Sequence, residues 1–313
     1  MQPIVTLTMN PALDIATSTD RVVPTHKLRC AAPRYDPGGG GINVARAVHA
    51  LGGKAVAIFP AGGAAGEMIR HLLDEEDVAY DAVAIAGFTR ESLNVEERET
   101  GQQYRFILPG PEISERDQER CLDQLSVLAA EASYIFASGS LPLGVSGDFY
   151  ARVTELAKTL GKRLILDTSG SALKKAGGGI YLLKPSLREL EDLSGREIRS
   201  EGDQERAARQ IVERGRSEVV VLSLGAEGAL LATADGCERF AAIPVETARS
   251  TVGAGDSMLA GIVLGLSRGL PLHEAVRFGM AAGAAALFGV GTELCRRADV
   301  ERLYQLMSGT DSL

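Results

Sequence analysis

Short apolar segments alternate with helical patterns from residue 114 onward, and this alternation constrains the fold more than any other feature of the chain. The apolar segments are the candidate strands 134–138, 163–166, 180–183 and 219–222. Strands this apolar are typical of a parallel sheet that helices cover on both faces. Polar residues or glycines follow each strand, and ligands of such sheets bind at the carboxyl ends of the strands. The sequence therefore predicts an α/β, doubly wound fold with a mostly parallel central sheet flanked by helices.

Two stretches, about 17–36 and 87–109, carry short polar segments that alternate in the manner of exposed strands. We expect them to form a small β-sheet lid, inserted in one domain that spans residues 1–313. Arg90 and Arg105 fall in the second stretch and are candidate phosphate ligands, because a guanidinium group can bind phosphate through two hydrogen bonds. A solvated sheet face is the alternative interpretation of both arginines.

Charge and composition limit the partners that the chain can have. The net charge is −8, whereas a nucleic-acid-binding surface is basic, so no nucleic acid is expected. No apolar run reaches the roughly 18 residues that suggest a membrane-spanning helix, so no membrane partner is expected either. Four widely separated cysteines without a C-x-x-C pair argue against a zinc site and favour reduced thiols in a cytoplasmic protein.

Residues 250–256 read Ser-Thr-Val-Gly-Ala-Gly-Asp and precede an apolar run long enough for a buried helix. We expect Asp256 to cap this helix, where the helix dipole favours the ionised carboxylate. Gly253, Ala254 and Gly255 would leave backbone N–H groups accessible at the helix N-terminus, which is a ready anion site. A carboxylate beside a bound anion suits phosphoryl transfer, because it can accept the proton of the attacking hydroxyl. An ordinary capped helix is the alternative interpretation.

Four glycines, at 38–41, run directly into a second helical pattern whose first turn contains Asn43. We interpret this segment as a loop around a ligand rather than as a flexible linker. The Asn43 amide offers both a donor and an acceptor to such a ligand. Asp14 follows the candidate strand 4–9 and falls at the same edge of the sheet, with a simple turn residue as the alternative.

Segments 38–46 and 251–256 resemble the two signatures of the PfkB carbohydrate kinases, members of the ribokinase-like superfamily. They occur in the order found in the family, about 200 residues apart, and the resemblance covers essentially the whole chain. It implies a ribokinase-like fold whose β lid pairs with that of a second subunit in a homodimer. It also implies ATP, Mg²⁺ and a phosphosugar as ligands.

Within that family, segment 6–14 resembles the phosphosugar kinases, and segment 27–30 and the all-glycine run most resemble the branch that phosphorylates fructose 6-phosphate to fructose 1,6-bisphosphate in glycolysis. The branches that act on fructose 1-phosphate or tagatose 6-phosphate usually have a lysine where this chain has Gly40. Both substrates remain alternatives, because epimeric sugars differ by a single hydroxyl group.

The resemblance implies a role for each residue that matches a family motif. Asp256 is the implied catalytic base, and the backbone of Gly253, Ala254 and Gly255 is the implied anion hole. The implied sugar and sugar-phosphate ligands are Asp14, Lys27, Gly39, Gly40, Gly41, Asn43, Arg90 and Ser140. The implied nucleotide-binding residues are Lys184, Ser186, Ser223, Gly225, Gly228, Thr251, Met280 and Ala284. Glu189 is implied to orient Mg²⁺ through water, and a monovalent-cation loop, for which K⁺ is the candidate ion, matches Ser250, Val252, Ala286, Gly289, Gly291 and Glu293.

One position departs from the family pattern. The family motif Asn-x-x-Glu reads Ser-x-x-Glu here, with Ser186 in the first position and Glu189 in the last. Serine keeps a hydroxyl and loses the amide donor, so the affinity for nucleotide or metal is expected to be weaker. A sugar-phosphate sensor with little catalysis is therefore a third interpretation, from another class than the kinases.

Overall fold

A computed structural model describes residues 3–245, 250–289 and 291–309 of the chain. Its strands are β1 (Ile4–Thr8), β2 (Ala12–Thr19), β3 (Arg34–Gly38), β4 (Ala55–Ala61), β5 (Tyr80–Ala84), β6 (Arg90–Glu97), β7 (Gln103–Ile107), β8 (Tyr134–Ser138), β9 (Arg163–Asp167), β10 (Ile180–Leu183), β11 (Ser217–Ser223), β12 (Ala229–Thr233) and β13 (Gly236–Phe240). Nine of these strands form the main sheet, in the order β13-β12-β11-β10-β9-β8-β1-β4-β5. Neighbours from β5 to β11 pair in parallel, and β12 and β13 add an antiparallel edge. The prediction of a mostly parallel central sheet is confirmed.

Helices cover both faces of this sheet. They are α1 (Gly40–Ala50), α2 (Gly63–Glu75), α3 (Glu115–Ala129), α4 (Phe149–Thr159), α5 (Gly170–Lys175), α6 (Leu187–Ser194), α7 (Glu201–Glu213), α8 (Ala254–Ser267), α9 (Leu272–Ala286) and α10 (Arg297–Gly309). Helices α1, α2 and α8–α10 enclose one apolar core, and α3–α7 enclose the other. Successive strand residues alternate between the two, as Ile4 and Val5 do, because side chains point to opposite faces of a strand. This double burial explains why the strands are apolar throughout.

A second, smaller sheet has four strands in the order β3-β2-β6-β7. Strands β2 and β6 are parallel, and the two flanking pairs are antiparallel. Segment 20–33, between β2 and β3, is largely irregular and exposed. Strand β2 begins at Ala12, so Asp14 lies inside a strand of the small sheet and not in a turn, and that alternative for Asp14 is wrong. Strand pairing therefore fixes the backbone of Asp14.

The carboxyl ends of the parallel strands meet at one edge of the main sheet. Thr8, Ser138 and Asp167 are neighbours there across β1, β8 and β9. The small sheet joins this edge through β3, which leads directly into α1. In the described ranges, no helix has the length and apolar character required to cross a lipid bilayer.

Candidate active site

The glycine run connects β3 of the small sheet to α1 on the main sheet. Gly39 precedes the helix with a φ of 115°, a backbone conformation that favours glycine. A Cβ atom on Gly40 would lie 2.1 Å from Ser138 Oγ and 3.3 Å from Asp256 Oδ1. A Cβ atom on Gly41 would lie 2.5 Å from Thr8 Oγ1. The glycine run therefore packs its backbone against the ends of β1 and β8, at a distance that a side chain on Gly40 or Gly41 would prevent.

Helix α8 begins at the same place with the other predicted motif. Gly253 occupies the N-cap position with a φ of 77°, and Ala254, Gly255 and Asp256 form the first turn. The prediction that Asp256 caps the helix is wrong, because no side chain provides that cap. Instead, Oδ2 of Asp256 accepts a 2.9 Å hydrogen bond from Nδ2 of Asn43. The carboxylate is directed toward α1 rather than back to its own helix.

Burial sets the protonation of Asp256. Loss of hydration raises the pKa of its carboxyl to about 7, the Asn43 hydrogen bond opposes this shift, and Asp167 adds to it. Lys184 lowers the pKa and Asp14 raises it, both through their charge. The sequence predicts that the helix dipole favours the ionised carboxylate, but desolvation outweighs the contributions that lower the pKa of Asp256. A carboxylate with a pKa near 7 is a stronger base than an ordinary aspartate.

Lys184 and Asp167 form a buried ion pair beside Asp256. Lys184 Nζ lies 3.5 Å from Asp167 Oδ1, where β10 and β9 end. Burial opposes the charge of Lys184, but the carboxylates of Asp167, Glu189 and Asp256 together raise its pKa. The sequence reasoning did not select Asp167, although its position at a strand end was a usable signal. The three carboxylates keep Lys184 in its charged form, and a charged ammonium group can contact a phosphate.

Asp14 and Arg90 form the wall of the site on the small sheet. Burial raises the pKa of Asp14 to about 6, and the charges of Arg90 and Arg105 oppose that shift. Nη2 of Arg90 donates to the Asn10 carbonyl at 3.2 Å, which orients the guanidinium. Asn10 also donates to Ser140 Oγ at 3.1 Å. Asp14, Arg90 and Ser140 therefore lie together on the small-sheet side of the candidate active site.

Lys27 is apart from this group. It lies on the irregular segment 20–33, and its side chain is exposed. No contact with another predicted site residue is described for it. A role of Lys27 at the sugar phosphate therefore stays a prediction that depends on a second subunit.

Ser186 and Glu189 form a capping box at the start of α6. Ser186 Oγ accepts from the Glu189 backbone N–H at 3.4 Å, and Glu189 Oε2 accepts from the Ser186 backbone N–H at 2.8 Å. Asparagine is an equally favoured N-cap residue, so serine preserves the helix start at this position. The substitution changes the group exposed to a ligand more than it changes the backbone.

The remaining predicted nucleotide residues lie on the α8–α9 side and at the end of β11. Ser223 ends β11, and Gly225 and Gly228 bound the short turn that follows it. Thr251 is exposed just before α8, and Met280 and Ala284 lie on α9. A Cβ atom on Gly228 would lie 1.9 Å from the Phe240 carbonyl oxygen, so only glycine fits that turn. Ser223 pairs with Ser186 through an isolated parallel bridge, which brings the end of β11 beside the start of α6.

The predicted cation loop is formed by two segments that contact each other. Ser250 Oγ donates to the Gly291 carbonyl at 2.6 Å and accepts from the Val252 backbone N–H at 3.2 Å. The carbonyl oxygens of Ala286 and Glu293 both lie 3.2 Å from the position of a Cβ atom on Gly289. Carbonyl oxygens are suitable ligands for a hard cation. In the described part of the chain, by contrast, no group of three or more acidic, histidine or cysteine side chains could hold a metal ion.

A charged network that the sequence did not suggest links this loop to the small sheet. Asp36 of β3 is buried and accepts from Thr292 Oγ1 at 2.5 Å and from Arg34 Nη2 at 2.9 Å. Arg34 Nη1 also donates to Glu293 at 2.7 Å. Arg46 of α1 lies 3.4 Å from Asp36 and donates to the Pro37 carbonyl at 3.0 Å. Both segments that the glycine run connects are therefore tied to the candidate cation loop.

Comparison with known proteins gives consistent relatives along the whole chain. The pfkB family carbohydrate kinase model matches residues 7–299. The chain is 54% identical over 303 residues to the ATP-dependent 6-phosphofructokinase isozyme 2 of Mycobacterium tuberculosis (strain ATCC 25618 / H37Rv), covering 97% of this chain and 89% of that protein. It is 44% identical over 310 residues to the protein of that name from Escherichia coli (strain K12), covering 98% and 100%. The 1-phosphofructokinase of Bacillus subtilis (strain 168) is 35% identical over 295 residues, covering 93% and 95%.

Solved structures of phosphofructokinase-2 from Escherichia coli have the same fold. The complex with potassium superimposes with a TM-score of 0.94 at 43% identity, covering 98% of this chain and 100% of that one. The complex with fructose-6-phosphate has a TM-score of 0.92 at 42% identity, with the same coverage. The tetrameric inhibited form has a TM-score of 0.92 at 43% identity, again with that coverage.

Proposed function

Because this chain belongs to the pfkB family of carbohydrate kinases, we propose that it transfers the γ-phosphoryl group of ATP to fructose 6-phosphate, giving fructose 1,6-bisphosphate. The observation that carries the proposal is the meeting of two N-terminal helix turns at one carboxylate. Asp256 in the first turn of α8 accepts the amide of Asn43 in the first turn of α1. An acceptor hydroxyl bound beside Asn43 would lie next to a base, with the anion-binding end of α8 behind it.

The proposed reaction is a single phosphoryl transfer that releases ADP. The 1-hydroxyl oxygen of the sugar forms a bond to the γ-phosphorus, the bond from that phosphorus to the β–γ bridging oxygen breaks, and the hydroxyl proton passes to Asp256. The raised pKa of Asp256, about 7, lets it accept this proton near neutral pH. The transition state carries charge on the transferring oxygens, which the backbone N–H groups of residues 253–255 and the Lys184 ammonium would stabilise.

The sugar would bind between the glycine run and the small sheet. Asp14 and Asn43 provide acceptors and a donor for sugar hydroxyls, and the Arg90 guanidinium provides two donors for the 6-phosphate. The absence of side chains at Gly39, Gly40 and Gly41 lets the sugar approach the backbone. A lysine at position 40, as in the branches for other phosphosugars, would need the space that Ser138 fills. Glycine at position 40 matches the branch that phosphorylates fructose 6-phosphate, and this resemblance favours fructose 6-phosphate over fructose 1-phosphate.

The residues present fit a magnesium ion that binds mainly to ATP. Glu189 and Asp167 place carboxylates near Lys184, and Glu189 is held at the N-terminus of α6 by its capping box. Mg²⁺ usually keeps several waters and takes one or two carboxylates together with substrate phosphates. Bound in that way, the ion would neutralise charge on the β- and γ-phosphates. We assign Glu189 to the metal-bound water and Ser186 to the nucleotide phosphates.

A monovalent cation is proposed for the loop that joins Ser250 to Gly291. The support is the contact between the two segments, in which Ser250 Oγ donates to the Gly291 carbonyl, together with the potassium complex of the Escherichia coli structure. The proposed loop also includes Val252, Ala286, Gly289 and Glu293. Since the loop immediately precedes α8, cation binding would order the helix N-terminus that holds the phosphoryl group. The result expected is a higher kcat in K⁺ than in a large organic cation at equal ionic strength.

The small sheet is the proposed contact with a second subunit. Tyr35, Leu93 and Phe106 are exposed apolar residues of this sheet, Phe106 to 52% of its full accessibility, and the strand register places all three on one face. Apolar groups clustered on one sheet mark an interaction surface. The chain would form a homodimer through this lid, in which Lys27 of one subunit reaches the sugar phosphate of the other.

A substrate panel tests the function. ADP release is measured with ATP·Mg²⁺ and fructose 6-phosphate, fructose 1-phosphate, tagatose 6-phosphate or fructose, using Asp256→Asn as the catalytic control. The expected result is a kcat/KM for fructose 6-phosphate well above the other three. A preference for another phosphosugar would change the substrate but keep the mechanism. Binding of fructose 6-phosphate without turnover of any sugar would contradict the kinase assignment and leave a sensor.

A further inference from the structure

A second cleft lies at the opposite edge of the main sheet from the candidate active site. It has a volume of about 360 Å³ and lies where β10 and β11 begin, whereas Lys184 and Ser223 lie where these strands end. Its walls come from the end of α5, the end of α6 and the end of α7. This volume falls in the range of small-molecule sites, which is about 300–1,000 Å³.

The charge of this cleft differs from that of the whole protein. Its lining residues include four cations, Lys174, Lys175, Arg214 and Arg216, and no aspartate or glutamate is among the described residues that line it. The chain as a whole has a net charge of −8. Lys174 Nζ lies 3.5 Å from Asp192, which is outside the lining, and both side chains are about half exposed. An exposed pair of this kind contributes little, so the cleft remains positive.

Arg216 gives the strongest indication of a ligand. Its Nη2 donates to the Leu173 carbonyl, but its Nε is buried and has no hydrogen-bond partner within the described ranges. Burial lowers the pKa of this arginine, which means that the protein has removed hydration from the charge without replacing it by a carboxylate. A buried donor without a partner is costly. The rest of the Arg216 side chain is only partly buried, so an anion in the cleft could reach it and would supply the missing charge.

The adjacent cleft serves as an internal comparison. It has a volume of about 390 Å³, shares Ser194, Ala207 and Gln210 with the first, and is lined by three arginines and three acids. Arg206 pairs with Asp203 at 2.5 Å, and Arg209 pairs with Glu213 at 3.3 Å. Two of its three arginines are therefore paired with acids that line the same cleft. Of the two clefts, only the first is lined by cations without any acid. It is also the only one of the two in which a buried guanidinium nitrogen has no hydrogen-bond partner among the described residues.

We propose that the cleft of Lys174, Lys175, Arg214 and Arg216 binds a small phosphate-bearing anion, at a site separate from the one that binds the kinase substrates. Arginine presents planar paired donors to phosphate, and lysine adds a mobile point charge. Ser194 and Gln210 offer neutral hydrogen-bonding groups at the edge of the same cleft. The ligand class is an organic or inorganic phosphate with at least two negative charges. This proposal does not depend on which sugar the active site phosphorylates.

Titration calorimetry with inorganic pyrophosphate at constant ionic strength tests the site. The comparison uses the protein without substitutions, the variant Arg216→Gln, and the matched control Arg209→Gln from the adjacent cleft. Pyrophosphate that binds at the active site contributes equally to all three, so the difference between variants reports the cleft. We expect a loss of affinity of ten-fold or more in Arg216→Gln and no change in Arg209→Gln. Equal affinity in all three proteins, or equal losses in both variants, would overturn the proposal.

Two further measurements keep the test decisive. Hydrogen exchange locates the ligand: we expect pyrophosphate to protect amides of residues 174–178 and 214–216, and protection confined to 253–256 would contradict the proposal. If Arg216→Gln does not fold, the exposed residues allow Lys174→Gln/Lys175→Gln, for which we expect at least a three-fold loss of affinity. Unchanged affinity in that double variant would also overturn it. Competition by ADP or fructose 1,6-bisphosphate in Asp256→Asn then distinguishes nucleotide from sugar phosphate as the source of the phosphate group.

Discussion

Asn43 donates a 2.9 Å hydrogen bond from Nδ2 to Oδ2 of Asp256, across a sequence separation of 213 residues. This bond fixes the orientation of the carboxylate relative to the glycine run on which the sugar is proposed to bind. It also stabilises the ionised form against the desolvation that raises the pKa of Asp256. Asn43 therefore acts on the proposed base as well as on the sugar, and its replacement should affect both functions.

Replacing Asp256 by Asn removes the proposed base with little change in volume. We expect kcat for ADP formation to fall about 10²–10⁴-fold, as is usual when a general base is lost. The affinity for fructose 6-phosphate, measured by calorimetry, should stay within a few-fold of the original. Asp235→Asn, at an exposed turn, is the matched control and should be unaffected. Near-normal turnover in Asp256→Asn would exclude the carboxylate as the base.

The pH dependence of kcat/KM should report the pKa of Asp256. The value of about 7 predicts a rate that rises with pH and levels above neutrality. In Asn43→Ala the rising limb, which is the part of the pH profile where kcat/KM increases, should move to higher pH, because the hydrogen bond that lowers the pKa of Asp256 is lost. A shift of one unit would reduce kcat/KM roughly ten-fold at pH 6 and much less at pH 8.5. Asn43→Asp should move the limb further, since a second carboxylate repels the first.

A purely structural role of Asn43 would lower the rate by the same factor at every pH. An unshifted limb in both variants would therefore contradict the positioning role. The KM for the sugar should rise in Asn43→Ala as well, and this separates the effect on binding from the effect on the base.

The raised pKa of Asp256 also has a consequence for stability. The native state holds a proton on this carboxyl up to about pH 7, whereas the unfolded state releases it near the ordinary value of 3.8. The unfolded state is therefore increasingly favoured as pH rises between these values. We expect Asp256→Asn to have a higher Tm than the parent protein at pH 8 by several degrees, and a difference near zero at pH 4. Differential scanning calorimetry across this range measures it, and a pH-independent difference would contradict the shift.

Arg90 and Lys27 should differ in their effects on sugar affinity. Arg90→Ala removes a half-buried guanidinium, so the KM for fructose 6-phosphate should rise by one to two orders of magnitude, the equivalent of about 1.5–3 kcal/mol for a charge-assisted contact. Lys27→Ala should raise KM only if a second subunit brings Lys27 to the site. Its effect should therefore disappear when the dimer is dissociated by Phe106→Glu, on the apolar face of the small sheet. Arg98→Ala, which removes an exposed pair with Asp20 on the same sheet, is the control.

Substitutions at Gly40 and Ser138 should have coupled effects on kcat/KM. A Cβ atom at position 40 would lie 2.1 Å from Ser138 Oγ, so Gly40→Ala should displace α1 or Ser138 and reduce kcat/KM about ten-fold or more, because a small misplacement of reacting groups is costly. Removing the opposing side chain in Gly40→Ala/Ser138→Gly should restore part of the activity. The double-mutant cycle measures this coupling. Additive losses would indicate that the two positions do not compete for space.

The architecture could be predicted from the sequence because its signals are local and repeated. Apolar strands such as 134–138 and 180–183 indicate a sheet buried on both faces, and the order of strands and helices favours parallel pairing. The two glycine-rich motifs indicated that segments 38–46 and 250–256 contribute to one site. Their proximity in the structure follows from the strand order, which brings β1 and β8 beside α1 and α8.

Details that depend on contacts between distant segments could not be predicted. The cap prediction for Asp256 was wrong because a local preference for capping competes with a hydrogen bond from Asn43, which only folding provides. Asp167 and the Asp36–Arg46 contact were missed for the same reason, since a lone aspartate at a strand end has many local explanations. The individual roles of the predicted ligands remain proposals that the experiments above address.

The sequence by itself determined the double-sided sheet, the small polar sheet beside it and the two glycine-rich motifs, because periodicity and glycine placement are properties of short segments. Only the tertiary structure decided the protonation of Asp256, its partner Asn43 and the uncompensated charge around Arg216. The physical reason is that desolvation and electrostatic interaction depend on which groups surround a charge in space. Those neighbours come from segments far apart in the chain, and no local pattern records them.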